Sequence, residues 1–359
     1  MNLVIKFFIS FYLINFAHAQ KFEQIGTPFE DTVWGLEFIN TDEALITTIN
    51  GKIFRFNLQN KIKTEISGAP KVWNKGQGGL LDIKLHPDFK QNSIIYLTYS
   101  KEVDGGATTA LMMAKLDGQK LQEQKDLFVA KGATSKGQHF GSRITFDQDG
   151  HLFFGVGDRG ERDNAQKLTT HTGSIIRLKL DGSIPKDNPF IGQKDKLPEI
   201  WSYGHRNPQG LFFDKPTQKL WEIEHGPRGG DEINLIEKGK NYGWPTISYG
   251  KEYWGPVQVG EGTHKAGMEQ PHLYYDPSIA PSSLIVYNGS VFKDWKGQIF
   301  SSALKLKHVN RVSIDSKGKL KEEKRIGEDL GERIRILTEA PDGLIYLGTD
   351  SGKIFVMKP

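Results

Sequence analysis

The sequence of 359 residues predicts an all-β fold, a six-bladed β-propeller of four-stranded antiparallel blades. Six segments along the chain repeat one outline of short alternating strands and polar turns. Glycine (40 residues) and aromatic residues (11%) are both frequent, which is typical of short strands joined by tight turns. Long stretches with the apolar periodicity of a helix are nearly absent.

Each repeat begins with an alternating apolar strand, passes through a polar turn, and returns in a second and a third strand. One such sheet cannot bury both of its faces, but six sheets packed around an axis can. Residues 21–25 could supply a strand that joins the last blade and closes the ring. The competing architecture is a pair of β-sandwiches. The first strands of the six repeats fall at 35–39, 81–85, 143–146, 210–213, 283–287 and 335–337.

The start of the chain differs from the rest. A single lysine, Lys6, precedes an apolar stretch at 7–16, and small residues follow at Ala17 and Ala19. This is the form of a secretory signal peptide, and the apolar run is too short to span a bilayer comfortably as an uncleaved anchor. We therefore predict a signal peptide at 1–19, cleavage near Ala19 and a single propeller domain at 20–359. The mature protein would be periplasmic or secreted, without stable membrane insertion.

Composition excludes several classes of function. The chain has no cysteine, so thiol nucleophiles, thiolate metal sites and disulfides are all ruled out. The net charge is only +4 and the basic residues are spread along the chain, so no nucleic-acid partner is expected.

A histidine and an aspartate near the third repeat are the first candidates for chemistry. His139 precedes this repeat and Asp158 follows its second strand, so both can lie at the same end of a hairpin. A carboxylate that bonds one imidazole nitrogen fixes the tautomer and prepares the other nitrogen to accept a proton. The alternative is a hydrogen-bonding loop histidine beside a turn-forming aspartate.

Basic and amide residues form a second group. Arg206 and Asn207 stand just before the first strand of the fourth repeat, where they could point into a central cavity and stabilise an anionic oxygen. Arg333 and Arg335 open the last repeat and share one face of a strand. With Lys305 they would suit a ligand that carries several carboxylates. The alternatives are a surface loop and an edge strand with its charges toward solvent.

A loop rich in oxygen atoms that could bind a metal ion follows the second strand of the fourth repeat. The turn at Gly226-Pro227 leaves carbonyl oxygens free, and Asp231 and Glu232 lie shortly after it. Calcium takes six to eight such hard oxygens in flexible geometry, but the spacing is not that of an EF-hand loop. The composition of this loop, rather than its spacing, indicates calcium.

Taken in order, these segments resemble the soluble glucose and aldose sugar dehydrogenases that depend on pyrroloquinoline quinone (PQQ). The matching motifs span nearly the whole chain after residue 20. They are Gln77-Gly78-Gly79-Leu80-Leu81, His139-Phe140-Gly141, Gly157-Asp158-Arg159-Gly160, Tyr203-Gly204-His205-Arg206-Asn207-Pro208-Gln209-Gly210-Leu211, Glu224-His225-Gly226-Pro227, Asp231-Glu232-Ile233-Asn234, Asn241-Tyr242-Gly243-Trp244-Pro245, Ile279-Ala280-Pro281-Ser282-Ser283 and the pair Arg333 and Arg335.

The resemblance implies oxidation of aldose sugars at the anomeric hydroxyl to lactones. His139, held by Asp158, would take the hydroxyl proton while hydride passes to the quinone, with Arg206 against the developing charge. An external electron acceptor would then reoxidise the cofactor. The positions that match PQQ-binding positions of the family are Gln77, Arg206, Asn207, Lys305, Arg333 and Arg335.

The resemblance also implies calcium. The backbone carbonyls of Gly226 and Pro227 would bind the ion that contacts PQQ, and Glu232 and Tyr242 match positions that bind a second, structural calcium. Glucose-oxidising members carry an aromatic residue where this chain has Asp276, which argues against specificity for glucose. The chain is also shorter than those enzymes, which favours the aldose sugar dehydrogenase branch and a monomer or weak dimer.

Two rival functions remain open on the same fold. A calcium-dependent lactonase would need acidic and amide metal ligands on the inner strands, where this chain has arginines and a lysine. A non-catalytic propeller that binds a glycan or a protein would have no need of His139 and Asp158.

Overall fold

The computed structural model describes residues 20–359, which form six four-stranded antiparallel sheets. The predicted six-bladed propeller is therefore confirmed. The predicted signal peptide at 1–19 lies outside the described residues. Between residues 20 and 359, helix is confined to α1 (Phe89–Asn92) and to short 3-10 segments at Arg162–Gln166, Lys293–Trp295 and Glu328–Leu330. The described part of the chain contains no helix that is both long and apolar enough to cross a membrane.

The strands follow one another around the ring. The chain begins with β1 (Lys21–Gln24). Blade 1 contains β2 (Val33–Phe38), β3 (Glu43–Thr48), β4 (Lys52–Asn57) and β5 (Lys63–Ile66). Blade 2 contains β6 (Leu80–Leu85), β7 (Ile94–Val103), β8 (Gly106–Asp117) and β9 (Lys120–Val129). Blade 3 contains β10 (Ile144–Phe146), β11 (His151–Val156), β12 (Ser174–Lys179) and β13 (Ile200–Tyr203).

The second half repeats this order. Blade 4 contains β14 (Pro208–Asp214), β15 (Lys219–Glu224), β16 (Asp231–Leu235) and β17 (Leu273–Tyr275). Blade 5 contains β18 (Pro281–Val286), β19 (Ile299–Ala303), β20 (Val309–Ile314) and β21 (Leu320–Ile326). Blade 6 contains β22 (Ile334–Glu339), β23 (Ile345–Thr349) and β24 (Ile354–Lys358).

The ring is closed by the N-terminal strand, as the sequence predicted. Strand β1 pairs antiparallel with β24, with Lys21 opposite Lys358 and Gln24 opposite Phe355. Blade 6 thus combines three strands from the end of the chain with one from its start. Pairing β24 in this way covers a backbone edge that would otherwise be free to pair with another chain.

Apolar packing lies between neighbouring blades. Each adjacent pair of blades shares at least one buried cluster; for example, Leu45 of blade 1 packs with Leu97 of blade 2, and Phe153 of blade 3 with Leu211 of blade 4. The alternating strands place one apolar face on each neighbour, which is why the blades stack radially.

The first strand of every blade faces the central axis. Strands β2, β6, β10, β14, β18 and β22 contact one another around the ring. Their N-terminal ends all point to one face of the propeller, and loops that precede these strands gather there.

Candidate functional site

The N-terminal ends of the inner strands surround a cavity of about 460 Å³, which we call the site cavity. Residues in or beside the inner strands of all six blades contribute to its wall. The polar side chains in that wall include Gln77, Gln209, His225, Arg333, Arg335 and Asp350. A wall that combines two guanidinium groups with amide donors suits an anionic guest.

His139 and Asp158 meet at the edge of this cavity. Nδ1 of His139 lies 2.6 Å from Oδ1 of Asp158, and the backbone N–H of His139 donates to Oε1 of the cavity residue Gln77 at 2.8 Å. His139 has a φ of 58°, an uncommon value for a residue with a side chain. A Cβ on Gly157 would come within 2.3 Å of the His139 carbonyl oxygen, so only glycine fits there. The histidine is therefore held by its backbone and by its ring.

The protonation states of this pair follow from burial and charge. Burial lowers the pKa of His139, although the hydrogen bond that His139 donates to Asp158 opposes that shift, and the charge of Arg206 lowers the pKa further. Burial acts to raise the pKa of Asp158, but its hydrogen bond with His139 and the nearby positive charges outweigh burial and lower it. An ionised carboxylate can only accept, so Nδ1–H donates to it and Nε2 carries the lone pair. The pair is arranged to accept a proton at Nε2.

Asp158 is itself held by two further donors. Its Oδ1 accepts the backbone N–H of Gly160 at 2.7 Å, and its Oδ2 accepts Nε1–H of Trp244 at 2.8 Å. Both carboxylate oxygens are therefore engaged, which fixes the carboxylate in the plane that the imidazole needs.

Arg206 lies beside the pair formed by His139 and Asp158. Its guanidinium donates to the carbonyl oxygen of His225 at 3.2 Å and to the hydroxyl oxygen of Tyr253 at 3.4 Å. Cζ lies 5.2 Å from the ring centroid of Trp244. The same tryptophan thus contacts Arg206 and Asp158, and it sets the two side chains relative to one another.

Asn207 connects the next loop to the cavity. Its Oδ1 accepts the backbone N–H of Gly141 at 3.3 Å and Nε2–H of Gln209 at 3.2 Å. Nε2 of His225 lies 2.6 Å from the carbonyl oxygen of Pro281, which can only accept, so Nδ1 is left to accept from Asn207 at 3.2 Å. Burial, and then the charge of Arg206, lower the pKa of His225 to about 3, so this ring stays neutral.

Arg333 and Arg335 both line the site cavity and share one carboxylate. Nε of Arg333 donates to Oδ2 of Asp350 at 2.7 Å, and Nε of Arg335 donates to Oδ1 at 2.9 Å. The Arg335 side chain is 14% exposed and that of Arg333 is 48% exposed. Asp350 therefore orients both groups while neutralising only one of their two charges.

Lys305 lies outside the wall of the site cavity. It lines an adjoining cavity of about 560 Å³ together with Pro227, Tyr253 and Asp276. Ala280 lines both cavities, so the two are neighbours. The sequence placed Lys305 with the two arginines, and the structure separates them by this shared wall.

The loop at Gly226-Pro227 has the geometry of an oxygen-ligand site. A Cβ on Gly226 would lie 2.1 Å from the carbonyl oxygen of Gly230, and the backbone N–H of Gly226 donates to Oδ1 of Asp231 at 2.9 Å. Within residues 20–359, no hydrogen bond reaches the carbonyl oxygen of Gly226 or of Pro227. Two uncommitted carbonyl oxygens on a rigid loop fit a hard cation.

Glu232 and Tyr242 lie together beside a small gap of about 10 Å³, close to the room that one water molecule needs. Burial raises the pKa of Glu232, and the charge of Glu224, its partner across the β15–β16 pair, adds to that effect. The Tyr242 hydroxyl donates to the Leu235 carbonyl at 2.6 Å, so only the main-chain carbonyl of Tyr242 is available to an ion. A cation bound here would offset the repulsion between the carboxylates of Glu224 and Glu232.

Three residues in this region carried no assigned role at the sequence level. His225 belongs to a quoted motif, yet its contact with Pro281 joins residues 56 apart. Trp244 reaches Asp158 across 86 residues. Asp350 lies 15 residues from Arg335, opposite the start of β22, and strand pairing is the signal that could have located it.

Comparison with known proteins identifies the family to which the chain belongs. The sequence model described as glucose/sorbosone dehydrogenase matches residues 30–356. Aldose sugar dehydrogenase YliI of Escherichia coli K12 is 41% identical over 336 residues, 92% of this chain and 90% of that protein. Quinoprotein glucose dehydrogenase B of Acinetobacter calcoaceticus is 27% identical over 381 residues, 84% of this chain and 79% of that protein.

Solved structures agree with the sequence comparison. The soluble aldose sugar dehydrogenase of Escherichia coli in its apo-form has a TM-score of 0.90 and 39% identity, covering 95% of this chain and 99% of that one. The PQQ-bound aldose sugar dehydrogenase of Streptomyces coelicolor shares the fold, with a TM-score of 0.75 and 24% identity over 94% of this chain and 98% of that one. Because the family match runs through all six blades, the chain belongs to the glucose/sorbosone dehydrogenase family.

Proposed function

We propose that this protein oxidises aldose sugars at the anomeric hydroxyl to lactones, with PQQ and calcium as cofactors. The observation that carries the proposal is that the His139–Asp158 pair lies next to the cavity that Arg333 and Arg335 line, joined to that cavity through Gln77, so that a proton acceptor stands beside a site for a polyanion. Relatives named as an aldose sugar dehydrogenase and as a quinoprotein support it.

The chain's own residues would move the proton. Nε2 of His139 accepts the proton of the anomeric hydroxyl while C1 gives up its hydrogen with both bonding electrons, and the C1–O bond becomes the lactone carbonyl. Asp158 stabilises the imidazolium that results, and Arg206 stabilises negative charge that develops on oxygen. PQQ, when bound, would supply the acceptor for the hydride, and calcium would supply Lewis-acid polarisation of the quinone carbonyl.

Charge and amide groups would hold the cofactor. Arg335 and Arg333 suit its carboxylates, and Lys305 could reach a group that extends into the adjoining cavity. Gln77 and Asn207 would contribute amide hydrogen bonds, since the first lines the cavity and the second bonds residues that do.

Calcium would bind at two places. The carbonyl oxygens of Gly226 and Pro227 would hold the ion that contacts PQQ, which fits their lack of hydrogen bonds within the described residues. Glu232 and the main-chain carbonyl of Tyr242 would hold a structural ion, which fits the raised pKa of Glu232 and the small gap beside it.

The setting of the reaction is also part of the proposal. We propose export through a signal peptide at 1–19, cleavage near Ala19, and function in the periplasm or outside the cell. An external electron acceptor would reoxidise the cofactor, and the protein would act as a monomer or weak dimer.

Reconstitution tests the proposal. PQQ and calcium are added to the purified apo-protein, and dye reduction is followed with a panel of aldoses. We expect activity only when both are present, and loss of roughly 10²–10⁴-fold or more in kcat for His139→Ala with PQQ binding retained. His86→Ala is the matched control, because His86 lines a separate cavity at the other ends of the inner strands.

The outcomes separate the rival functions. Lactone hydrolysis that needs calcium but no PQQ would replace the proposal with a hydrolase. A protein that binds glycans, takes up no PQQ and is unaffected by His139→Ala would replace it with a non-catalytic propeller.

A further inference from the structure

Two cavities lie at opposite ends of the inner strands. The site cavity takes the N-terminal ends, with Trp34 of β2 and Gln209 of β14 in its wall. A second cavity of about 970 Å³, the distal cavity, takes the C-terminal ends, with Phe38 of β2 and Phe213 of β14 in its wall. Among residues 20–359 none lines both, so something closes the axis between them.

Arg143 lies at this boundary and reaches every other blade. Its Nη1 donates to Oδ1 of Asp82 in blade 2 at 2.8 Å and to the carbonyl oxygen of Trp34 in blade 1 at 3.3 Å. Its Nε donates to the Gln209 carbonyl oxygen in blade 4 at 3.3 Å. Its Nη2 donates to the carbonyl oxygens of Ser282 in blade 5 at 3.1 Å and of Arg335 in blade 6 at 3.5 Å.

Only arginine can make this set of contacts. A guanidinium carries five N–H donors in one rigid plane, whereas a lysine ammonium has three and no fork. Arg143 is 4% exposed, so its charge is buried, and Asp82 compensates that charge while Cζ lies 4.2 Å from the ring centroid of Trp34. A buried charge with these partners is costly to remove but specifies one arrangement of the groups around it.

Three of the carbonyl oxygens that accept from Arg143 belong to residues that line the site cavity. Trp34, Gln209 and Arg335 come from three blades, each lines the site cavity, and each gives its carbonyl oxygen to Arg143. We infer that Arg143 is a positioning residue that sets the spacing of these three walls, and thereby the affinity of the site cavity for a planar polyanion. The part of this inference that concerns the ligand rests on the proposed function.

A matched control exists in Arg177. It is buried to a similar degree, at 5% exposed, and it also bonds a carboxylate, that of Asp187 at 2.9 Å. Its other partners, Asn188 and His151, belong to blade 3 and its loops, and it lines no wall of the site cavity. Replacing Arg177 therefore removes a buried arginine without removing a side-chain hydrogen bond between blades.

The test compares Arg143→Lys and Arg143→Met with Arg177→Lys and Arg177→Met. PQQ is titrated into each calcium-loaded apo-protein, and binding is read from tryptophan fluorescence. We expect Kd to rise at least 10-fold for Arg143→Met, less for Arg143→Lys, and by under 2-fold for both Arg177 variants. If Arg143→Met does not fold, the comparison of Arg143→Lys with Arg177→Lys decides. We then expect Kd for PQQ to rise at least 3-fold for Arg143→Lys.

A second readout needs no cofactor. Amide hydrogen exchange should speed up in the inner strands of several blades in Arg143→Lys, and only in blade 3 in Arg177→Lys. Equal losses of affinity in the two lysine variants, or wild-type affinity with unchanged exchange in Arg143→Lys, would overturn the inference. Failure of the wild-type protein to bind PQQ would instead refute the proposed function, and the exchange data would still decide the role of Arg143.

Discussion

Replacing Asp158 with asparagine is the sharpest test of the catalytic pair. The two side chains have the same shape, but asparagine brings an NH₂ group to one of the two oxygen positions. At the Oδ1 position that group would face the N–H of Gly160 and would turn Nδ1 of His139 into an acceptor. At the Oδ2 position it would face the N–H of Trp244. Either orientation loses the charge and sets two donors against each other.

The size of the effect follows from these contacts. A hydrogen bond to a charged group contributes about 1.5–3 kcal/mol, which corresponds to roughly 10- to 150-fold in rate. Reversal of a catalytic histidine's tautomer brings the loss to about 10⁴-fold. We therefore expect kcat of Asp158→Asn to fall by about 10- to 10⁴-fold, depending on which orientation the amide takes. Kd for PQQ should change little, because Asp158 does not line the site cavity.

The pH dependence gives an independent readout. The hydrogen bond with Asp158 works to raise the pKa of His139 against the lowering effect of burial. Its removal lowers that pKa further, so the acid limb of kcat/KM in the residual activity moves to lower pH. The assay is dye reduction by PQQ- and calcium-loaded enzyme across the pH range.

The control is Asp163→Asn, which removes the same charge from an exposed carboxylate five residues further along the chain. It should leave rate and pH profile unchanged. Wild-type kcat and an unshifted acid limb in Asp158→Asn would refute the assignment of His139 and Asp158 as a catalytic pair.

Three further predictions concern the cofactor sites and the ring. Arg335→Met should raise Kd for PQQ about 10- to 100-fold in a fluorescence titration, and Arg333→Met should raise it less because Arg333 is more exposed; equal effects would contradict this. Gly226→Ala should raise the calcium concentration needed for reactivation by at least about 10-fold, since its Cβ collides with the Gly230 carbonyl; unchanged calcium dependence would count against the loop. Deleting 21–25 should lower Tm by roughly 5 °C or more in calorimetry, because β24 loses its pairing with β1 and keeps only β23. An unchanged Tm would show that closure is dispensable.

The repeated strands could be read from the sequence because their information is local. Period-two alternation and turn residues decide where a strand begins and ends within a few positions, and six copies of one outline imply a closed ring. His139 and Asp158 could be paired for the same reason, since they lie 19 residues apart at one end of a single blade.

Contacts between blades could not be found in this way. The wall that separates Lys305 from Arg335 depends on how the loops of neighbouring blades stack. Trp244 bonds Asp158 across a sequence gap of 86 residues, with no spacing rule to connect the two.

By itself, then, the sequence determined the repeating strands, the number of blades and the order of the motifs, because each depends on neighbours along the chain. Only the tertiary structure decided which side chains converge at the axis. Arg143 shows the reason: it stands as one arginine before a three-residue strand, and its five partners come from five other blades. Such a set exists only once ring closure has brought all six inner strands around one axis.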